Sequence, residues 1–240
     1  MNQRNRIRTV VVILIVGSFF LGCGSAVTRS PSNMSFDEWY GNWPTVVVST
    51  AVILLSFFFL TRPRKPREWQ GAGLATAFFI SLFTEMFGIP LTIYLLAPLL
   101  GIEPQIFGGN ESHLLAYLLF RTGIMNLDAG VYLVMVVSSG FTVIGFYLLG
   151  VGWKKVYHAQ GSLVTDSLYA KLRHPQYLGL ILIVAAFLIM WPTLVTLALA
   201  PFLIIRYALL AKEEDRELEE KFGDDFRNYK DRVPGFIPSL

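Results

Sequence analysis

The sequence is poor in charge and nearly devoid of cysteine. Only 15% of its 240 residues are Asp, Glu, Lys or Arg, against roughly 25% in an ordinary soluble domain. That shortage excludes a disordered chain, a coiled coil and a cytosolic globule, because too little polar surface exists to coat a body of this size. The one cysteine, Cys23, excludes an internal disulfide and a cysteine-based zinc site. The three histidines, His113, His158 and His174, are scattered, so no metal pattern emerges. There is no Walker loop, no GxSxG elbow and no GxGxxG after a strand. Internal repeats and a soluble second domain are also missing. No Lys or Arg occurs between Glu68 and Phe120. The net charge of +3 is no nucleic-acid signal, since the positive residues sit at the ends of apolar segments, where they set topology.

What is abundant is apolar surface, 54% of the chain. A bilayer-spanning helix needs about 20 apolar residues, and the pattern predicts an all-α, polytopic transmembrane protein of five or six spans. Residues 1–27 read as a signal anchor, or as a lipoprotein-like signal with Cys23 as the lipid-bearing residue. Residues 28–152 carry spans over Pro44–Leu60, Gly71–Leu100 and Val131–Gly152, with an outer loop holding a short helix around His113–Phe120. Residues 153–240 carry a helical hairpin, Leu178–Trp191 and Thr193–Leu210, and a charged cytoplasmic tail from Lys212. The basic cluster Arg62-Pro-Arg-Lys-Pro-Arg67 and the pair Lys154-Lys155 then fall on the cytoplasmic side.

Two polar features deserve a chemical reading. Glu85 lies inside an apolar span beside Pro90, either as a helix-packing carboxyl or as a group lining a substrate cavity. The stretch Gly161–Tyr177 ends in Arg173-His174-Pro175, where proline suits the first helical turn and holds Arg173 and His174 at the membrane surface.

That stretch and the tail together resemble the isoprenylcysteine carboxyl methyltransferase family and its bacterial phospholipid and thiol methyltransferase relatives. The resemblance rests on Leu163-Val164-Thr165, Tyr169, Arg173-His174-Pro175-x-Tyr177-x-Gly179, Glu213-Glu214, Phe222-Gly223, Tyr229 and Val233-Pro234…Ile237-Pro238. It covers roughly the last 80 residues; the first 150 match only as a set of spans. It implies a membrane methyltransferase of the bacterial inner membrane, using S-adenosylmethionine at the cytoplasmic surface. By position, Gly161, Ser162, Leu163, Val164, Tyr169, His174, Pro175, Gln176 and Tyr177 would line the cofactor site. Glu213 and Glu214 would complete it, Glu214 holding the amino-acid end. A carboxylate suits an ammonium and aromatic faces suit adenine and a sulfonium.

The eukaryotic prenylcysteine enzymes carry an arginine four residues before the cofactor glutamate; here that position is Leu210. Arg206, one turn earlier, is the candidate catalytic residue in its place, or else a snorkelling or ion-paired residue. The acceptor would be lipophilic or small, a carboxylate by resemblance, with an amine or a thiol left open. No metal and no nucleic acid is implied. An NADPH-dependent membrane reductase of the steroid 5-reductase-like type, or a non-catalytic membrane scaffold, are the alternative readings.

Overall fold

A computed structural model describes residues 35–236 apart from Arg62, Arg64 and Gln160. The expected first span with Cys23, and Ile237-Pro238, lie outside the described residues. Within them every regular element is helical. After a one-turn helix α1 (Phe36–Trp39) comes α2 (Trp43–Thr61), 19 residues without a charge. At 1.5 Å per residue it is about 28 Å long, close to the thickness of a bilayer core.

Helix α3 (Pro66–Phe83) begins with proline in its first turn and continues as a π-helical turn over Thr84–Gly88. There the chain breaks. Gly71–Leu100 is therefore not one tilted span but a span over Pro66–Gly88 and a separate nine-residue helix, α4 (Leu91–Leu99). The cause is local. Pro90 has no N–H to continue the ladder, and the amide of Ile89 reaches back five residues to the Thr84 carbonyl at 2.8 Å.

Glu85 resolves the capping problem this break creates. Its Oε2 accepts from the Thr92 amide at 2.8 Å and the Thr92 hydroxyl at 2.5 Å, serving the open N-terminus of α4. The Thr92 hydroxyl in turn accepts from the amide of Leu194 at 2.8 Å, at the start of the last long helix. The structure thus places Glu85 in a helix-capping chain.

The outer loop holds α5 (Leu114–Arg121) and folds over this end of the bundle. Trp191 is covered there by Trp39, stacked at 5.8 Å, and by the His113 ring at 4.8 Å. Helix α6 (Leu127–His158) is longer than its apolar pattern, because Asn126 caps its first turn through a 2.8 Å bond from Ala129 and Lys155 and His158 favour its C-terminus.

Helix α7 (Pro175–Met190) is only 16 residues, about 24 Å. It lies against α6 so closely that a Cβ on Gly145 would sit 2.8 Å from the Gly179 carbonyl oxygen, and one on Gly179 2.6 Å from that of Gly145. Small residues are what permit such a crossing. Trp191, Pro192 and Thr193 connect α7 to α8 (Leu194–Phe222). Helix α8 does not stop where its apolar stretch ends. It runs on through Lys212 to Phe222 before Gly223, at φ +56°, turns the chain into α9 (Asp224–Arg232).

Among the described residues, four helices, counting α3 with its π turn, are long and apolar enough to cross a membrane, and α7 is a shorter apolar helix beside them. The core holds Phe78, Phe83, Phe187 and Leu203, all essentially inaccessible. Outward-facing Val47, Leu55, Tyr132, Ile144, Phe202 and Ile205 form a band that is apolar and exposed, which suits lipid and not water. This is a membrane protein.

Candidate active site

Where the charged ends of α3, α6 and α8 converge, the bundle encloses a cavity of about 250 Å³. The approach to α3 supplies Lys65, Arg67 and Glu68; the end of α6 supplies Trp153, Val156 and Tyr157. Gln176 and Tyr177 come from the first turn of α7, and Leu210, Glu213, Glu214 and Glu217 from one face of α8. Four carboxylates thus face two cations. Gly152 makes room for the α7 contribution, since a Cβ there would meet Gln176 Cγ at 3.0 Å.

The carboxylates are not equivalent. Glu217 is ion-paired with Lys65. Glu213 faces Arg67 at 3.5 Å and Arg206 at 3.7 Å, and Arg206 Nη2 also donates to the Arg67 carbonyl at 2.9 Å. Glu214 is approached instead by His174 Nδ1, at 3.6 Å, beyond hydrogen-bond reach.

Behind Glu214 lies a buried ionic cluster. Asp215 accepts from Arg173 Nη1 at 2.6 Å and from His174 Nε2 at 2.8 Å. The amides of Arg173 and His174 are tied to the carbonyls of Pro234 and Gly235 at 2.9 and 3.1 Å, so the last described residues fasten the Arg-His-Pro turn in place. Burial pushes the His174 imidazole down, but the Asp215 and Glu214 carboxylates outweigh it and raise its pKa above the ordinary value. Burial, with Glu214 nearby, raises the Tyr169 phenol far enough to keep it a neutral donor. Its hydroxyl reaches the Gly152 carbonyl at 3.3 Å, while its own carbonyl accepts from Tyr229 at 2.7 Å.

Among the described residues, four buried side-chain nitrogens have no hydrogen-bond partner: Trp153 Nε1, on a residue of the cavity wall, and, off the wall, Arg173 Nε, His174 Nδ1 and Arg206 Nε. An unpaired buried N–H is costly, so the indole is a donor that an acceptor atom in the cavity would satisfy. Among the described residues, no group of three or more His, Cys, Asp or Glu is placed to hold a metal ion.

Comparison with known proteins gives this arrangement a chemical context. A family model described as phospholipid methyltransferase matches residues 126–225, from the cap of α6 to the start of α9. The chain is 24% identical over 214 residues to a methanethiol S-methyltransferase of Pseudomonas deceptionensis, covering 86% of this chain and 65% of that protein. It is 26% identical over 246 residues to a protein-S-isoprenylcysteine O-methyltransferase of Schizosaccharomyces pombe, covering 96% of each. Over residues 126–225 the chain is thus similar to phospholipid methyltransferases, and along most of its length it bears a low-identity likeness to these two methyltransferases.

The sequence-predicted site residues divide into three groups in the structure. Gln176, Tyr177, Glu213 and Glu214 meet on the cavity wall. Tyr169, His174 and Pro175 are buried directly behind it. Gly161, Ser162, Leu163, Val164 and Arg206 are not on the wall. Gly161 and Ser162 are exposed, with the Gly161 carbonyl taking the Lys221 ammonium at 2.7 Å, and Leu163 packs on Phe226, Tyr229 and Val233. Arg206 lies beneath the wall, bound to Glu213 and the Arg67 carbonyl.

Sequence reasoning missed Trp153, Tyr157, Glu217 and Asp215. The first two were legible as an aromatic pair one turn apart at the lysine-rich end of a span. Asp215 was hidden among the charges of a helix that reads as solvated.

Proposed function

We propose that this chain is an integral-membrane, S-adenosylmethionine-dependent methyltransferase whose methyl donor occupies the cavity between α3, α6, α7 and α8. The observation that carries the reading is Glu214, a wall carboxylate that faces the His174 ring and has no lysine or arginine ion pair among the described residues. Glu214 would take the donor's α-ammonium, and Lys65 or Arg67 its carboxylate. Trp153, Tyr157 and Tyr177 offer aromatic faces for adenine and for a cationic sulfur, and the unpaired Trp153 N–H awaits an acceptor. When bound, S-adenosylmethionine supplies an electrophilic methyl group on a good leaving group.

The chain's own task is to exclude water and hold the acceptor behind that carbon. Val156 and Leu210 provide the apolar part of the wall. Arg206 acts at one remove, through Glu213 and the Arg67 carbonyl. No histidine lines the cavity, so an ionised carboxylate acceptor needs no base, whereas a thiol or amine must arrive deprotonated or lose its proton to a carboxylate. The acceptor is lipophilic or small, in keeping with the names of both relatives. Lys65, Arg67, Lys154 and Lys155 lie at the cavity end, and the positive-inside rule supports a cytoplasmic site in a protein of a bacterial inner membrane.

Calorimetric titration of the purified protein with S-adenosylmethionine and, separately, with NADPH tests the assignment. Saturable binding of the methyl donor is expected. Binding of NADPH alone would establish the reductase reading, and binding of neither a non-catalytic protein.

A further inference from the structure

Asp215 does not line the cavity, yet it holds two charged partners directly behind its wall. Its two oxygens receive different cations, Arg173 on one and His174 on the other. Its side chain is only 14% exposed, and those of Arg173 and His174 are 13% and 3% exposed. The His174 ring has little freedom. Its amide is held by the Gly235 carbonyl, and the rings of Tyr177 and Phe236 lie 5.9 and 5.8 Å from it. With Nε2 donating to Asp215, the other ring nitrogen points at Glu214 Oε2 and has no partner of its own.

We propose that Asp215 is a positioning residue for the methyl-donor site: by gripping Arg173 and His174 together it fixes the imidazole so that Nδ1 faces Glu214, and so holds Glu214 on the cavity wall. The inference rests on the assignment of that cavity to the methyl donor. The chemistry is asymmetric. A cationic imidazole presents an N–H to the Glu214 carboxylate and anchors it. A neutral imidazole donating to Asp215 presents a lone pair, which repels that carboxylate and lets it swing toward water. The charged groups that bear on the ring are Asp215 and Glu214 from α8 and Arg173 beside it. Tyr177 is the titratable neighbour from α7, and Lys230 of α9 acts on Asp215.

The test is a pH series of S-adenosylmethionine affinities for full-length protein in nanodiscs, using wild type, Asp215→Asn and His174→Gln. Asparagine can still accept from Nε2, so it removes the charge and keeps the shape. Wild-type affinity is expected to fall as pH rises through the His174 titration. In Asp215→Asn the same fall should come at a lower pH, with near-wild-type affinity below it and about tenfold weaker binding between the two steps. His174→Gln should show no step. A uniform loss with the step unmoved would mean a merely structural Asp215 and overturn the proposal. An unchanged profile in Asp215→Asn, or a wild-type step surviving in His174→Gln, would do the same. Should Asp215→Asn fail to fold, His174→Gln still decides. The histidine NMR titration of ligand-free protein reads the hold of Asp215 on His174 separately. Absence of donor binding at every pH would therefore strike the cavity assignment, and an unshifted histidine the role of Asp215.

Discussion

Replacing Glu214 by glutamine is the sharpest test of the site, because its neighbour Glu213 provides an internal control one residue away. Both line the cavity and both are about one-third exposed, 35% and 30%. A charged hydrogen bond to an ammonium is worth about 1.5–3 kcal/mol; partial exposure of Glu214 favours the lower end, about 1.5–2 kcal/mol. That corresponds to roughly 10- to 30-fold weaker S-adenosylmethionine binding in Glu214→Gln. Glu213 is already engaged by two arginines at 3.5 and 3.7 Å. Long, partly exposed pairs of that kind contribute about 0–1 kcal/mol, so Glu213→Gln should weaken donor binding less than about fivefold. The assay is calorimetry on both variants in the same lipid nanodiscs, after gel filtration shows that each is intact. Wild-type affinity in Glu214→Gln, or an equal loss in the two variants, would refute the assignment of the ammonium to Glu214.

Other expectations concern the frame that carries the site. Gly145→Ala places a Cβ 2.7 Å from Ile183 Cγ1 and 2.8 Å from the Gly179 carbonyl oxygen. It should lower thermal stability in detergent by about 1–3 kcal/mol, while Gly140→Ala, with nothing within 4 Å, should not destabilise at all. Thr92→Val preserves shape but strips the hydroxyl shared by Glu85 and the Leu194 amide; a loss of about 2 kcal/mol is expected in denaturant unfolding. His174, whose pKa is raised on folding, contributes stability that is complete below its unfolded value of about 6.5. That contribution disappears as pH rises through the higher folded value. Melting temperature should accordingly fall across that window in wild type and fall less in His174→Gln.

Much of the architecture is legible without coordinates because it depends on neighbours in sequence. Uninterrupted apolar stretches become helices that shelter their own backbone bonds, as α2 and the first two-thirds of α8 do. Proline at 175 opens α7, and Asn126 caps α6. The proline at 90 was legible too, but not its effect. A single span over Gly71–Leu100 was expected, and the chain instead formed a π turn, broke, and began a new helix. That choice depends on Glu85 reaching Thr92, and Thr92 in turn serving Leu194, 102 residues away.

Composition, basic clusters and the Arg173-His174-Pro175 and Glu213-Glu214 motifs are all local signals, and they suffice to read a helical membrane protein with a methyltransferase-like C-terminal segment. Which residues share the cavity follows from how the helices pack. That packing brought in Trp153 and Tyr157 from α6 and set Lys65 against Glu217, 152 residues apart. It left Gly161–Val164 outside, and it separated Glu213, held by arginines, from Glu214, faced by a histidine. The physical reason is that helical spacing fixes which side chains share a face, whereas the ionic partner a carboxylate finds depends on which helix packs opposite.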